Sequence, residues 1–101
     1  KTQILQLERY DDLVSACDKL KWAKADRILL IWPARTKILN RKLDLLILKR
    51  QSIAQGAQLA SVTREHKIRS LAHQQGIPTF STMRRAQFKA WRLPRRFRSS
   101  Q

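Results

Sequence analysis

Arg35, Thr36 and Lys37 follow the apolar run Ile28–Trp32 and precede a helix-forming stretch. At that point side-chain cations and first-turn amides can converge on an anion. Thr63 and Arg64 occupy the equivalent place after a second β-compatible run. These five residues form the candidate anion-binding set, and a phosphate group is the ligand that suits them. The loop around Arg35 has no glycine, because the chain's two glycines are Gly56 and Gly76. Neither a Walker pattern nor GxGxxG occurs, so close backbone wrapping of a pyrophosphate is not expected. Solvated loop cations are the simpler account of the same residues.

The other reactive residue types lack partners at useful spacing. Asp11 and Asp12, after the first β-like stretch, look like the acidic pair that holds magnesium in response-regulator receivers. A receiver also needs an aspartate after its third strand, where this chain has Thr63-Arg64-Glu65. Helix capping by Asp11 explains the pair better. His66 and His73 have no carboxylate or cysteine at ligand spacing and read as surface residues. Ser61, Thr63 and Ser81 lack a glycine-flanked elbow or an identifiable base. Cys17, the single cysteine, cannot form an internal disulfide and falls on the apolar face of a predicted helix. No catalytic residue, cofactor or metal is therefore expected.

Charge restricts the choice of partner. The net charge is +15, and all seven acids lie at or before Glu65. Residues 66–101 carry nine Lys or Arg and no acid. Arg84, Arg85, Lys89, Arg92, Arg95, Arg96 and Arg98 form the candidate contact set for a membrane or nucleic acid. Their natural partner is a polyanion, either nucleic acid or an anionic lipid surface. Trp91 and Phe97 lie among these cations, the interleaving used by single-strand binders. Trp22 and Trp32 border predicted core elements and are expected to pack.

Periodicity supplies the elements that must position these residues. Gln3–Leu7 reads as a strand, and Leu13, Val14, Cys17 and Leu20 recur at helical spacing after Asp11. Arg27–Trp32 reads as a strand buried on both faces, at the sheet's centre, stopped by Pro33. Leu39, Leu43, Leu46, Ile47, Ile53 and Ala54 predict a long helix packing that stripe on the core, with Lys42, Lys49 and Arg50 toward solvent and Gly56 closing it. Ala57–Val62 is the third strand, and Thr63 is the expected cap of a helix ending at Gly76. Ile77–Phe80 is a short fourth strand, and Ser81 should cap a last helix. The alternation predicts an α/β fold with a four-stranded parallel sheet. The preferred arrangement is a reduced Rossmann-like or flavodoxin-like three-layer sandwich, strand order 2-1-3-4, with helices on both faces. Residues 1–92 are one domain and 93–101 a basic flexible arm. Ligands are expected at the carboxyl ends of the strands.

Asp11–Leu20, Trp22-Ala23, Arg27–Pro33, Leu43-Asp44-Leu45, Gly56–Ala60, Val62-Thr63-Arg64 and Gly76-Ile77-Pro78 together carry a resemblance. Over about residues 3–92 the chain resembles the N-terminal soluble module of an uncharacterised bacterial membrane-protein family. In that family a transmembrane segment and a baseplate-J-like region follow. The resemblance implies attachment to a membrane protein, with the basic arm as the cytoplasmic flank of a span. It supplies no catalytic residues.

The sequence thus leads to a noncatalytic cytoplasmic interaction or regulatory module at the inner face of a membrane. The chain starts at Lys1 without Met, and its longest apolar run, Ile28–Trp32, is far too short to span a bilayer. It is expected to be a soluble piece of a longer membrane-anchored polypeptide, which is its first partner. A nucleic-acid-binding domain is the alternative, and a phosphate or nucleotide binder at the strand ends the second alternative.

Overall fold

The computed structural model describes residues 2–88, so Lys89, Trp91, Arg92, Arg95, Arg96, Phe97 and Arg98, with the proposed arm, lie outside the described residues. Strands and helices alternate: β1 (Thr2–Gln6), α1 (Leu13–Trp22), β2 (Arg27–Ile31), α2 (Lys42–Ala54), β3 (Gln58–Val62), α3 (His66–Gln74), β4 (Thr79–Phe80) and α4 (Met83–Phe88). All strand pairs are parallel, with Ile4 opposite Leu29 and Leu29 opposite Ala60. The α/β class and the four-stranded parallel sheet are as expected.

The strand order is β1-β2-β3-β4, not 2-1-3-4. Composition explains the difference. A 2-1-3-4 order would put β1, with Thr2, Gln3 and Gln6, in the interior and expose β2 at an edge. Ile28, Leu29 and Leu30 of β2 are fully buried, whereas β1 alternates between exposed and half-buried residues. Two neighbours and two covered faces suit only an apolar strand. Pro78, which has no N–H to donate, precedes the two-residue β4 at the other edge.

Steps in one direction with one handedness keep successive crossover helices on one side of a sheet. Accordingly Ala16 and Leu20 of α1, Leu45 and Leu48 of α2, and Ile68 and Ala72 of α3 share one cluster with Ile28, Leu30, Trp32 and Leu59. A smaller cluster on the other face joins Leu29, Ala60 and Val62 to Ala86 of α4. Each fully buried Leu or Ile contributes about 1.5–3 kcal/mol, so the larger cluster dominates stability.

Helix α2 shows the largest local departure. It turns Leu45, Leu48 and Ser52 inward. The stripe expected to face the core points outward instead, with Leu43 62% and Ile53 61% exposed and Leu46 and Ile47 half-buried. Leu39 is buried, but it precedes the helix with a left-handed φ of 49°. Lys49 is half-buried, not solvated, and donates to the Gln75 carbonyl at the end of α3. Trp22 does not pack either: at 80% exposure it lies on the outer side of α1, while Trp32 is buried as expected.

The helix ends follow local chemistry. Asp12, not Asp11, caps α1, and it exchanges bonds with Ser15 in a capping box at 2.9 Å each way. Thr63 is not the cap of α3; the hydroxyl oxygen accepts from the Glu65 amide at 3.0 Å in a turn. Thr82 replaces Ser81 at the start of α4, accepting from the Arg85 amide. Gly56 and Gly76 stop α2 and α3 with φ of 75° and 73°. The next amides, of Ala57 and Ile77, reach back to Ser52 and Ala72 at 2.8 Å, closing two Schellman motifs.

Candidate functional site

A cleft of about 700 Å³ opens at the carboxyl ends of β2, β3 and β4, on the face that α4 covers only in part. Its floor is apolar, with Ile4, Ile31 and Val62 from adjacent strands, and Met83 of α4 as one wall. Trp32, Pro33 and Ala34 form the opposite wall. Arg35, Arg64 and Glu65 are the charged members, and Thr63, Ser81 and Thr82 bring hydroxyl groups. Such a volume and lining fall in the range of small-molecule sites.

The wall after β2 is held in place by its own polar bonds. Arg9 donates to the Ala34 carbonyl at 2.9 Å, tying the β1–α1 loop to it. Trp32 Nε1 donates to the Ile38 carbonyl at 3.3 Å, and the Ile38 amide donates to Thr36 Oγ1 at 3.2 Å. Arg35 itself has a left-handed φ of 54°, a conformation costing a non-glycine residue about 1 kcal/mol. Among the described residues the Arg35 and Arg64 guanidinium groups have no hydrogen-bond or ion-pair partner.

The five predicted anion-site residues therefore separate. Arg35, Thr63 and Arg64 meet in the cleft. Thr36 is 7% exposed and serves the loop turn. Lys37 faces a second groove of about 410 Å³, beside Asp11, Asp12, Arg41 and Asp44. Three acids there oppose an anion, and Asp44 already accepts from the Arg41 amide at 3.1 Å. Arg84 and Arg85 are exposed on α4. Ser81, Thr82 and Met83 lie in the loop after β4, one of the strand ends at which a ligand is expected. The apolar floor is not legible in the sequence, because only the observed strand order sets β2 beside β3 and so brings Ile31 against Val62.

Asp11 is committed to structure. Its carboxylate accepts from the Glu8 amide at 2.7 Å, Ser15 Oγ at 2.7 Å and Lys19 Nζ at 2.6 Å. Burial pushes its pKa up, but the bonds from Glu8, Lys19 and Ser15 outweigh burial and hold it below the ordinary value. Burial raises the Cys17 thiol, which leaves it protonated and weakly nucleophilic at neutral pH. His66 and His73 are exposed on α3. Among the described residues no group of three His, Cys, Asp or Glu is placed to hold a metal ion, and no helix is long and apolar enough to cross a membrane.

Comparison of the chain with protein-family models, curated proteins and solved structures found no match.

Proposed function

We propose that the chain is a noncatalytic interaction or regulatory module of a larger membrane-associated protein, acting on the cytoplasmic side, and that a small phosphorylated ligand held in the strand-end cleft regulates it. One observation carries the site: Arg35 and Arg64, which have no partner among the described residues, stand at the edge of an apolar floor. A guanidinium can grip a phosphate through two parallel N–H bonds. The Thr63, Ser81 and Thr82 hydroxyls have protons to donate, and Ile4, Ile31 and Val62 receive the ligand's apolar body. The membrane tether rests on the resemblance of the sequence motifs to those of the bacterial family that carries a baseplate-J-like region. As the finer architectural reading, α4 stands as the reduced third layer of a Rossmann-like sandwich built on the order β1-β2-β3-β4.

Calorimetric titration with adenosine 5′-monophosphate and with inorganic phosphate tests the site. Saturable binding is expected, weakened about tenfold or more by Arg35→Ala or Arg64→Ala, since a hydrogen bond to a charged group contributes about 1.5–3 kcal/mol. Unchanged affinity in both variants, or no heat with either probe at millimolar concentration, contradicts it.

A further inference from the structure

Helix α2 carries two apolar stripes. Leu45 and Leu48 occupy the buried one. Leu43, Leu46, Ile47, Ile53 and Ala54 recur at helical spacing on the opposite side, with Arg50 among them. Exposed aliphatic side chains gathered on one face mark contact surfaces. The exposed charges of α2 and α3 themselves have one sign. Asp44, the single acid of α2, is 6% exposed, and α3 beside it contains no acid. Lys42 and Arg50 on α2, and Lys67 and Arg69 on α3, are all exposed. The exposed acids of the helical layer, Asp12 at the cap and Asp18, belong to α1.

We infer that the outer face of α2 and α3 docks on an anionic lipid surface. Aliphatic side chains enter the headgroup boundary while the surrounding cations meet lipid phosphates, the division of labour of interfacial helices. Complementary charge selects this occupant. A second copy would bring cations against cations. Nucleic acid would reward Lys42, Arg50, Lys67 and Arg69 but gain nothing from Leu43 and Ile53. Helices α2 and α3 expose no acid, Asp44 being buried and Glu65 at the cap of α3 half-buried, whereas Asp18 on α1 and Asp12 at its cap are exposed. This sets the tilt, so that the α2–α3 side approaches the membrane and the cleft on the other sheet face stays open. The inference rests on the proposal that the module works at a membrane.

Flotation of the full chain with vesicles tests it, using phosphatidylcholine with or without 30% phosphatidylglycerol at about 0.1 M salt, a Debye length of roughly 10 Å. Binding is expected to require the anionic lipid and to fall about tenfold or more in Leu43→Ser/Ile53→Ser, through lost apolar insertion. Both side chains are more than half exposed, so an unchanged circular dichroism spectrum and melting temperature are expected for that variant. Three results overturn the inference. One is equal vesicle binding by the double variant, which would assign attachment to other cations. Another is binding to an oligonucleotide, but not to vesicles, that depends on Lys42 and Arg50 alone. The third is a dimer in sedimentation that the double variant dissociates. A native protein that fractionates with membranes while this chain ignores vesicles would remove the docking face and leave the tether standing.

Discussion

Lys19 Nζ lies 2.6 Å from Asp11 Oδ2, joining the middle of α1 to the loop that leads into it. The same ammonium donates to the Gln6 carbonyl at 3.1 Å, so one side chain fastens α1 to the end of β1. The Asp11 side chain is 2% exposed, and three donors surround it. This polar knot holds the β1 edge, from which Ile4 reaches the cleft floor.

Loss of the Asp11 carboxylate should therefore be costly and pH-dependent. Asp11→Ala is expected to lower stability by about 2 kcal/mol at pH 7, leaving the Glu8 amide and the Lys19 ammonium without their acceptor. The folded-state pKa lies below the unfolded one. The stabilisation is thus complete above roughly pH 4, the unfolded value, and is lost as pH falls through the folded value. Urea denaturation of both proteins across pH 2–7 checks this: the difference should shrink toward acid, and a constant difference would refute it.

Trp22 and Trp32 should behave oppositely. Trp32, 4% exposed in the main core, is expected to lose about 3–5 kcal/mol on substitution by alanine. Trp22→Ala should cost less than about 0.5 kcal/mol, as at an ordinary surface position. Thermal denaturation of the two variants decides, and a large loss in Trp22→Ala would mean that α1 packs differently.

Gly56→Ala isolates backbone conformation from sterics. A Cβ at Gly56 meets nothing within 4 Å, but its φ of 75° is unfavourable for any L side chain. A loss of about 1 kcal/mol is expected. A neutral or stabilising substitution would show that the α2 terminus relaxes to another turn.

The tether makes a cellular prediction. An antibody against this domain should detect a much larger native species that stays with membranes through a salt wash and leaves with detergent. A soluble native species of about this length would contradict the tether, because no helix among the described residues is long and apolar enough to cross a membrane.

Much of the fold was readable because local chemistry and tertiary need agree. Gly56 and Gly76 mark helix ends wherever the helices pack, and Ile28–Ile31 is too apolar to be anything but an interior strand. Strand order was readable only by weighing Gln3 and Gln6 against that run, since a βα alternation allows several parallel orders. The facing of α2 was not readable, because both of its stripes satisfy helical periodicity and only packing against β2 and β3 chooses between them. Arg35, Thr63 and Arg64 were recognisable from their places after strands. Their floor was not, because Ile31 and Val62 become neighbours only through the β2–β3 pairing, which the order 2-1-3-4 does not contain.

The most direct test of the account is to map amide chemical shifts of the full chain during titration with adenosine 5′-monophosphate. The account predicts saturating changes at Ala34, Arg35, Thr63, Arg64 and Ser81, with Asp12, Lys37 and Asn40 in the second groove unmoved. Changes centred on the second groove, or weak unsaturable changes spread over exposed cations, would contradict the strand-end cleft as the ligand site.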